Sequence, residues 1–117
     1  MQVPKPSHTD RAYFQALVPA DPRVEVKPMF GNLGAFVNGN MFCGLFGSDV
    51  GVKLPDEDRE RLLAAGGGPF GPAERPMAGY VALPREWRDM PAEAEAWMVS
   101  ALDHVAALPA KVKKPLR

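Results

Sequence analysis

"MFGNLGAFVNGNMFCG", residues 29–44, holds four glycines and three phenylalanines in one stretch. It is either a glycine loop that cradles a phosphate or a pair of strands folded back on each other. A phosphate loop needs Gly-x-Gly-x-x-Gly, or a Gly-Lys-Ser/Thr ending that opens a helix. Here Gly31, Gly34, Gly39 and Gly44 are spaced three, five and five, and no Lys-Ser/Thr follows. Asn38-Gly39 lies between two apolar runs, and both central residues of a type I′ turn need positive φ. The stretch therefore reads as a hairpin, with its phenylalanines supplying sheet core on two faces. Its register has two solutions. A turn at Asn38-Gly39 pairs Phe36 with Met41. A turn at Gly39-Asn40 pairs Val37 with Phe42 and sets Leu33 opposite Phe46.

Strands extend outward on both sides. "RVEVKPMF" alternates Val24 and Val26 with Arg23, Glu25 and Lys27, a half-buried strand in which Pro28 marks an edge or a bulge. "GSD" at 47–49 is a second turn, and "VGVKL" the strand after it. "MAGYVALP" is a last strand ending at Pro84. Both sheet faces carry large apolar groups, so one should meet helices and the other a loop, a helix or a second copy of the protein.

Three helices frame this sheet. Ser7 caps the first, with Asp10 three residues on, and Tyr13, Phe14, Leu17 and Val18 recur at helical spacing. "PDEDRERLLAAG" is a short helix with Asp56, Glu57 and Asp58 at its positive end, a Glu57–Arg61 pair and Gly66 as C-cap. In the third, Asp89 caps, Pro91 occupies the first turn, and Ala94, Trp97, Met98, Ala101, Leu102, Val105 and Leu108 form one stripe. The thirteen prolines fall mainly between these apolar segments, where a missing N–H costs least. The fold class is α+β, with an antiparallel sheet of four to five strands, in one domain spanning 1–117 with its core over 8–108.

The totals narrow the function. Fourteen Lys plus Arg balance fourteen Asp plus Glu, so no global field draws the chain to nucleic acid or an acidic membrane. A single cysteine, Cys43, excludes an internal disulfide and fits a reducing cytoplasm. The N-terminus lacks a signal-like apolar region, and no run reaches the roughly 20 apolar residues of a membrane span. The expectation is a cytoplasmic protein.

At this point "KPMFGNLGAFVNGNMFCGLFGSDVGVKL" is similar to the opening of the TfoX N-terminal domain family. The likeness rests on Met29, Phe30, Gly31, Gly34, Phe36, Val37, Gly39, Met41, Phe42 and Lys53. Pro69, Phe70, Arg75, Met77, Tyr80, Leu83, Pro84, Trp97 and Ala101 continue it. The resemblance implies an α+β fold similar to secretion chaperones. It also implies a regulatory role, since the full-length family member regulates natural competence and acts on transcription with the cyclic-AMP receptor protein. The sequence ends where that member's second domain would begin.

Reactive groups are sparse. His8, His104 and Cys43 are isolated, which gives no metal set, and Cys43 lies mid-strand with no cationic neighbour to lower its pKa. The Asp56–Asp58 cluster serves the helix dipole, and Glu93 and Glu95 diverge around their helix. No catalytic residue, cofactor or metal is assigned. Lys53 ends an apolar strand and is either an edge lysine that discourages sheet pairing or a contact for an anion. Arg75, in the 66–76 loop, could close over the same place, with Phe70 as a plug that pins the loop and Tyr80 at the core edge. Lys111, Lys113, Lys114 and Arg117 form a basic tail, a solvated end or a weak nucleic-acid contact. The sequence reads best as a non-catalytic regulatory module that binds a protein partner, a transcription regulator among the candidates, with a homodimer also open. The rival is a small-molecule binder or enzyme using a pocket near Lys53, Arg75 and Tyr80.

Overall fold

The computed structural model describes residues 4–110. The chain runs α1 (His8–Leu17), β1 (Val24–Met29), β2 (Asn32–Val37), β3 (Asn40–Phe46), β4 (Asp49–Lys53), α2 (Asp56–Ala64) and β5 (Tyr80–Ala82), then a 3₁₀ turn (Arg85–Asp89) and α3 (Pro91–Ala106). The five strands form one antiparallel sheet in the order β1-β2-β3-β4-β5, a meander in which every neighbour in space is a neighbour in sequence.

Two of the hairpins are closed by left-handed turns of two residues. Asn38 (φ 53°) and Gly39 (φ 81°) reverse the chain between β2 and β3, and Phe36 pairs with Met41, which selects the first of the two registers. One residue later the pairing shifts. Ala35 sits opposite Cys43, so Phe42 is the extra residue of a β-bulge. The bulge turns Phe42 and Cys43 both into the core, where each is fully buried, while Met41 and Gly44 keep to the opposite face. The β1–β2 hairpin has the same turn geometry with different chemistry, because Phe30 (φ 50°) and Gly31 (φ 80°) lie between the closing pair Met29 and Asn32. Phe30 is therefore not sheet core: it stands 82 % exposed at the turn.

One sheet face packs on helices. Leu33, Ala35, Val37, Leu45, Val50 and Val52 meet Phe14 and Leu17 of α1 and the stripe Ala94, Met98, Ala101, Leu102 and Val105 of α3. Each Val, Leu, Phe or Met among them contributes on the order of 1.5–3 kcal/mol when fully buried. The helices centre on β2–β4, which leaves β1 mostly exposed and Val26 at 37 %, so the strand expected to be half-buried is a solvated edge. Pro28 fits that edge, as does the Glu25–Lys27 ion pair along it.

The caps hold in part. Ser7 and Asp10 form a complete capping box, the Ser7 N–H donating to Asp10 Oδ2 at 2.8 Å and the Asp10 N–H to Ser7 Oγ at 3.0 Å. Gly66 (φ 111°) ends α2 in a Schellman arrangement, with Gly67 N–H on Leu62 O and Gly66 N–H on Leu63 O. The expected Glu57–Arg61 pair is replaced by contacts at i,i+3, Arg61 to Asp58 at 3.1 Å and Arg59 to Asp56. Asp89 does not cap α3, because the 3₁₀ turn consumes it; Met90 takes the cap position without a side-chain bond, and Pro91 opens the helix.

Candidate functional site

The second sheet face is built on glycine. The register aligns Lys27, Gly34, Gly44, Gly51 and Ala82 in one row across all five strands, with Gly34 opposite Gly44 and Gly44 opposite Gly51. Three adjacent positions without side chains make a trench across β2, β3 and β4. Met41 reaches over it, with its Sδ 2.9 Å from where a Cβ on Gly34 would lie and 3.4 Å from one on Gly44.

The 66–76 loop closes one end of the trench. Its base is bonded to β5, Gly68 and Ala82 exchanging N–H···O bonds of 3.1 and 2.8 Å, which also covers that outer edge of the sheet. Phe70, 2 % exposed, lays its ring directly on Gly51, in space that any Cβ there would occupy. Phe46 meets that ring edge-on at 6.3 Å between centroids, and Tyr80 lies tilted against it at 6.0 Å. Phe70 thus pins the loop to the sheet. Met77 N–H donates to Phe70 O at 2.8 Å and holds the loop's return limb beside it.

What the loop leaves uncovered is a cavity of about 360 Å³. Gly44 lies in its lining, Met29, Met41 and Met77 surround it with thioethers, and Phe30, Phe46 and Phe70 contribute rings. Asn32 also lines it, but its amide is committed: Nδ2 donates to Pro4 O at 3.1 Å and Oδ1 accepts from Gly47 N–H at 2.9 Å. Arg75 is the one charged residue among those lining the cavity.

The residues singled out from sequence separate here. Arg75 and Phe70 belong to the cavity, whereas Lys53 and Tyr80 do not line it. Tyr80 reaches from β5 toward β3 and donates its hydroxyl to Met41 O at 2.8 Å; burial pushes its pKa up to about 12. Lys53 pairs with Tyr80, with Nζ 5.9 Å from the centroid of its ring. Since β4 is flanked by β3 and β5, Lys53 is not an edge lysine. Lys111, Lys113, Lys114 and Arg117 lie outside the described residues.

A second cavity of about 240 Å³ lies by Tyr13, Asp49, Arg85 and Arg88. Its charges are satisfied internally: Arg85 bonds Asp49 at 3.1 Å, and Arg88 bonds Asp10 at 2.7 Å while stacking over Tyr13 at 4.4 Å. The Ser7 N–H first and the Arg88 guanidinium second hold the Asp10 carboxyl below its ordinary pKa. Cys43 is buried, and desolvation pushes its thiol well above the usual range, opposite to what a nucleophile needs. Among the described residues no three His, Cys, Asp or Glu side chains gather as a metal site, and no helix is long and apolar enough to cross a membrane.

The glycine row, the Phe70 seat and the Met29-Phe30-Gly31 turn are the same segments that carry the family likeness in the sequence. The TfoX N-terminal domain model matches residues 13–105 of the 117-residue chain. The chain belongs to the TfoX N-terminal domain family. Comparison with curated proteins finds no match. The family match spans the sheet, α2, nearly all of α3 and the second half of α1, so the trench and its loop lie inside the matched region.

Sequence reasoning reached Arg75 and Phe70 through the loop's composition. It missed Phe30 as a surface group and the alignment of the three glycines. The Phe-Gly pair was the available signal for the first, since it sits between two strands as Asn-Gly does. The second depends on register across three strands, including a bulge that no local pattern reveals.

Proposed function

We propose that the domain is a cytoplasmic, non-catalytic regulatory module that docks a protein partner through the Phe30 turn. Phe30 carries the reading. A large aromatic ring is held in solvent, 82 % exposed, at a left-handed position that asparagine occupies in the next hairpin. Such a placement works against stability, and side chains kept in sparsely populated backbone regions concentrate where a protein binds or switches. Phenylalanine is among the aromatic residues enriched at protein interfaces relative to the rest of the surface. Arg11 of α1 donates to Gly31 O at 3.3 Å and braces the turn. The flanking edge strand is guarded by charge and by Pro28, which favours side-chain docking at the turn over the addition of a strand. Family membership makes a transcription regulator the natural partner class, and a second copy of the chain is the alternative.

The test uses Phe30→Asn, which suits the turn. Proteins retained from native lysate by the wild-type chain and lost from Phe30→Asn, at equal or higher folded stability, support the reading. Sedimentation equilibrium identifies the second copy as partner if wild type dimerises and the variant does not. Retention of the same proteins by both chains, with both monomeric, overturns it.

A further inference from the structure

The glycine trench points to a ligand rather than to a protein. The chain itself shows what a glycine in this row accommodates, because a flat aromatic ring, that of Phe70, lies on the backbone at Gly51. Gly44, the next residue along the row, lies in the cavity lining, with Met41 and the edge of the Phe70 ring standing over it. The nearest atoms a Cβ there would meet are those of Met41 at 3.4 Å and of the Phe70 edge at 3.5 Å, ordinary van der Waals contact. Methionine is the most adaptable apolar cover, and its sulfur makes favourable contacts with aromatic rings. Met29, Met41 and Met77 all line this cavity. Its volume of about 360 Å³ falls within the range of small-molecule sites, about 300–1,000 Å³.

The charge is equally selective. Arg23, Arg59, Arg61, Arg85 and Arg88 each bond a carboxylate, and Arg11 bonds a carbonyl. Arg75 is exposed and, among the described residues, its guanidinium has no such partner. A planar fork beside an apolar cavity complements a planar anion. One guanidinium, with no second cation in the lining, matches a single negative charge better than a phosphate's two. We propose that the cavity binds a small aromatic monocarboxylate, its ring among the three methionines beside Gly44 and its carboxylate on Arg75. Phe30 borders this cavity as well as the docking turn, but the contacts tested here are those of Gly44 and Arg75, with Phe30 left in place, so failure of this assignment is distinguishable from failure of the docking reading.

The test titrates the full chain with 1-naphthoate, its neutral analogue 1-naphthamide, and octanoate. Calorimetry gives affinity, and NMR of the methionine methyls gives location. Saturable naphthoate binding should shift Met29, Met41 and Met77. Arg75→Gln, an exposed change, should weaken naphthoate roughly tenfold and leave naphthamide unaltered. Gly44→Ala, whose methyl fits without collision, should weaken both aromatic probes while the fold persists. Absence of saturable naphthoate binding, indifference to Arg75→Gln, shifts at other methionines, or tighter binding of octanoate than of naphthoate would each overturn the assignment.

Discussion

Replacing Phe30 by asparagine should stabilise the domain, although it deletes the largest side chain in its turn. An ordinary L-residue at a left-handed position costs about 1–2 kcal/mol, a cost that asparagine largely escapes. The ring's contribution in the other direction is small. With Phe30 82 % exposed, under a fifth of its surface is covered, so of the roughly 1.5–3 kcal/mol that full burial would bring, only about 0.3–0.5 is lost. The balance favours the variant by about 0.5–1.5 kcal/mol, or a Tm rise of about 2–6 °C for a domain of this size. The neighbouring hairpin supplies the mirror experiment, because Asn38 has nearly the same φ, 53° against 50°. Asn38→Phe should lower Tm by a similar amount. Differential scanning calorimetry of the two variants and the wild type reads both. A lower Tm for Phe30→Asn, or an unchanged Tm for Asn38→Phe, would refute the claim that Phe30 is held against the turn's preference.

Three further outcomes follow from the packing and the charges. Gly51→Ala places a methyl inside the Phe70 ring, so the ring must leave its seat; urea denaturation should show a loss of about 2–3 kcal/mol, with new proteolytic cleavage in the 66–76 loop. Asp10 has a lowered pKa in the folded state, so its stabilisation is present above the unfolded value near 3.8 and fades as pH falls through the folded one. Wild type should exceed Asp10→Asn by about 1 kcal/mol at pH 7 and converge with it below that range, measured by urea melts at several pH values. Cys43 should resist a thiol reagent in the native protein and react fully in denaturant, as followed by absorbance.

Much of the fold could be read from the residues because its signals are local. Asn38-Gly39 announces a type I′ turn, Ser7 with Asp10 a capping box, and the α3 stripe a buried helix face; each needs only a few neighbouring residues to act. The errors share a different cause. Phe30 looks like core because phenylalanine is seldom found at positive φ, and only strand pairing shows that the chain reverses there. Asp89 looks like a cap because the 3₁₀ turn that absorbs it is set by tertiary packing. Lys53 looks like an edge residue until β5, three residues long and far along the chain, pairs outside it. The groove was least legible of all, since it exists only when Gly34, Gly44 and Gly51 fall into register despite the bulge at Phe42.

The meander order has a consequence for how the molecule assembles. With β1 to β4 joined by two-residue turns, those pairings close short loops and carry little entropic cost, so they can form early. The helix that seals their apolar face, α3, comes after every strand in the chain. Until it docks, Leu33, Ala35, Leu45 and Val50 face water on a sheet that is already paired. That interval is the domain's period of greatest exposure to aggregation, and substitutions on α3 such as Met98→Ala should lower the yield of soluble protein more than their effect on final stability would suggest.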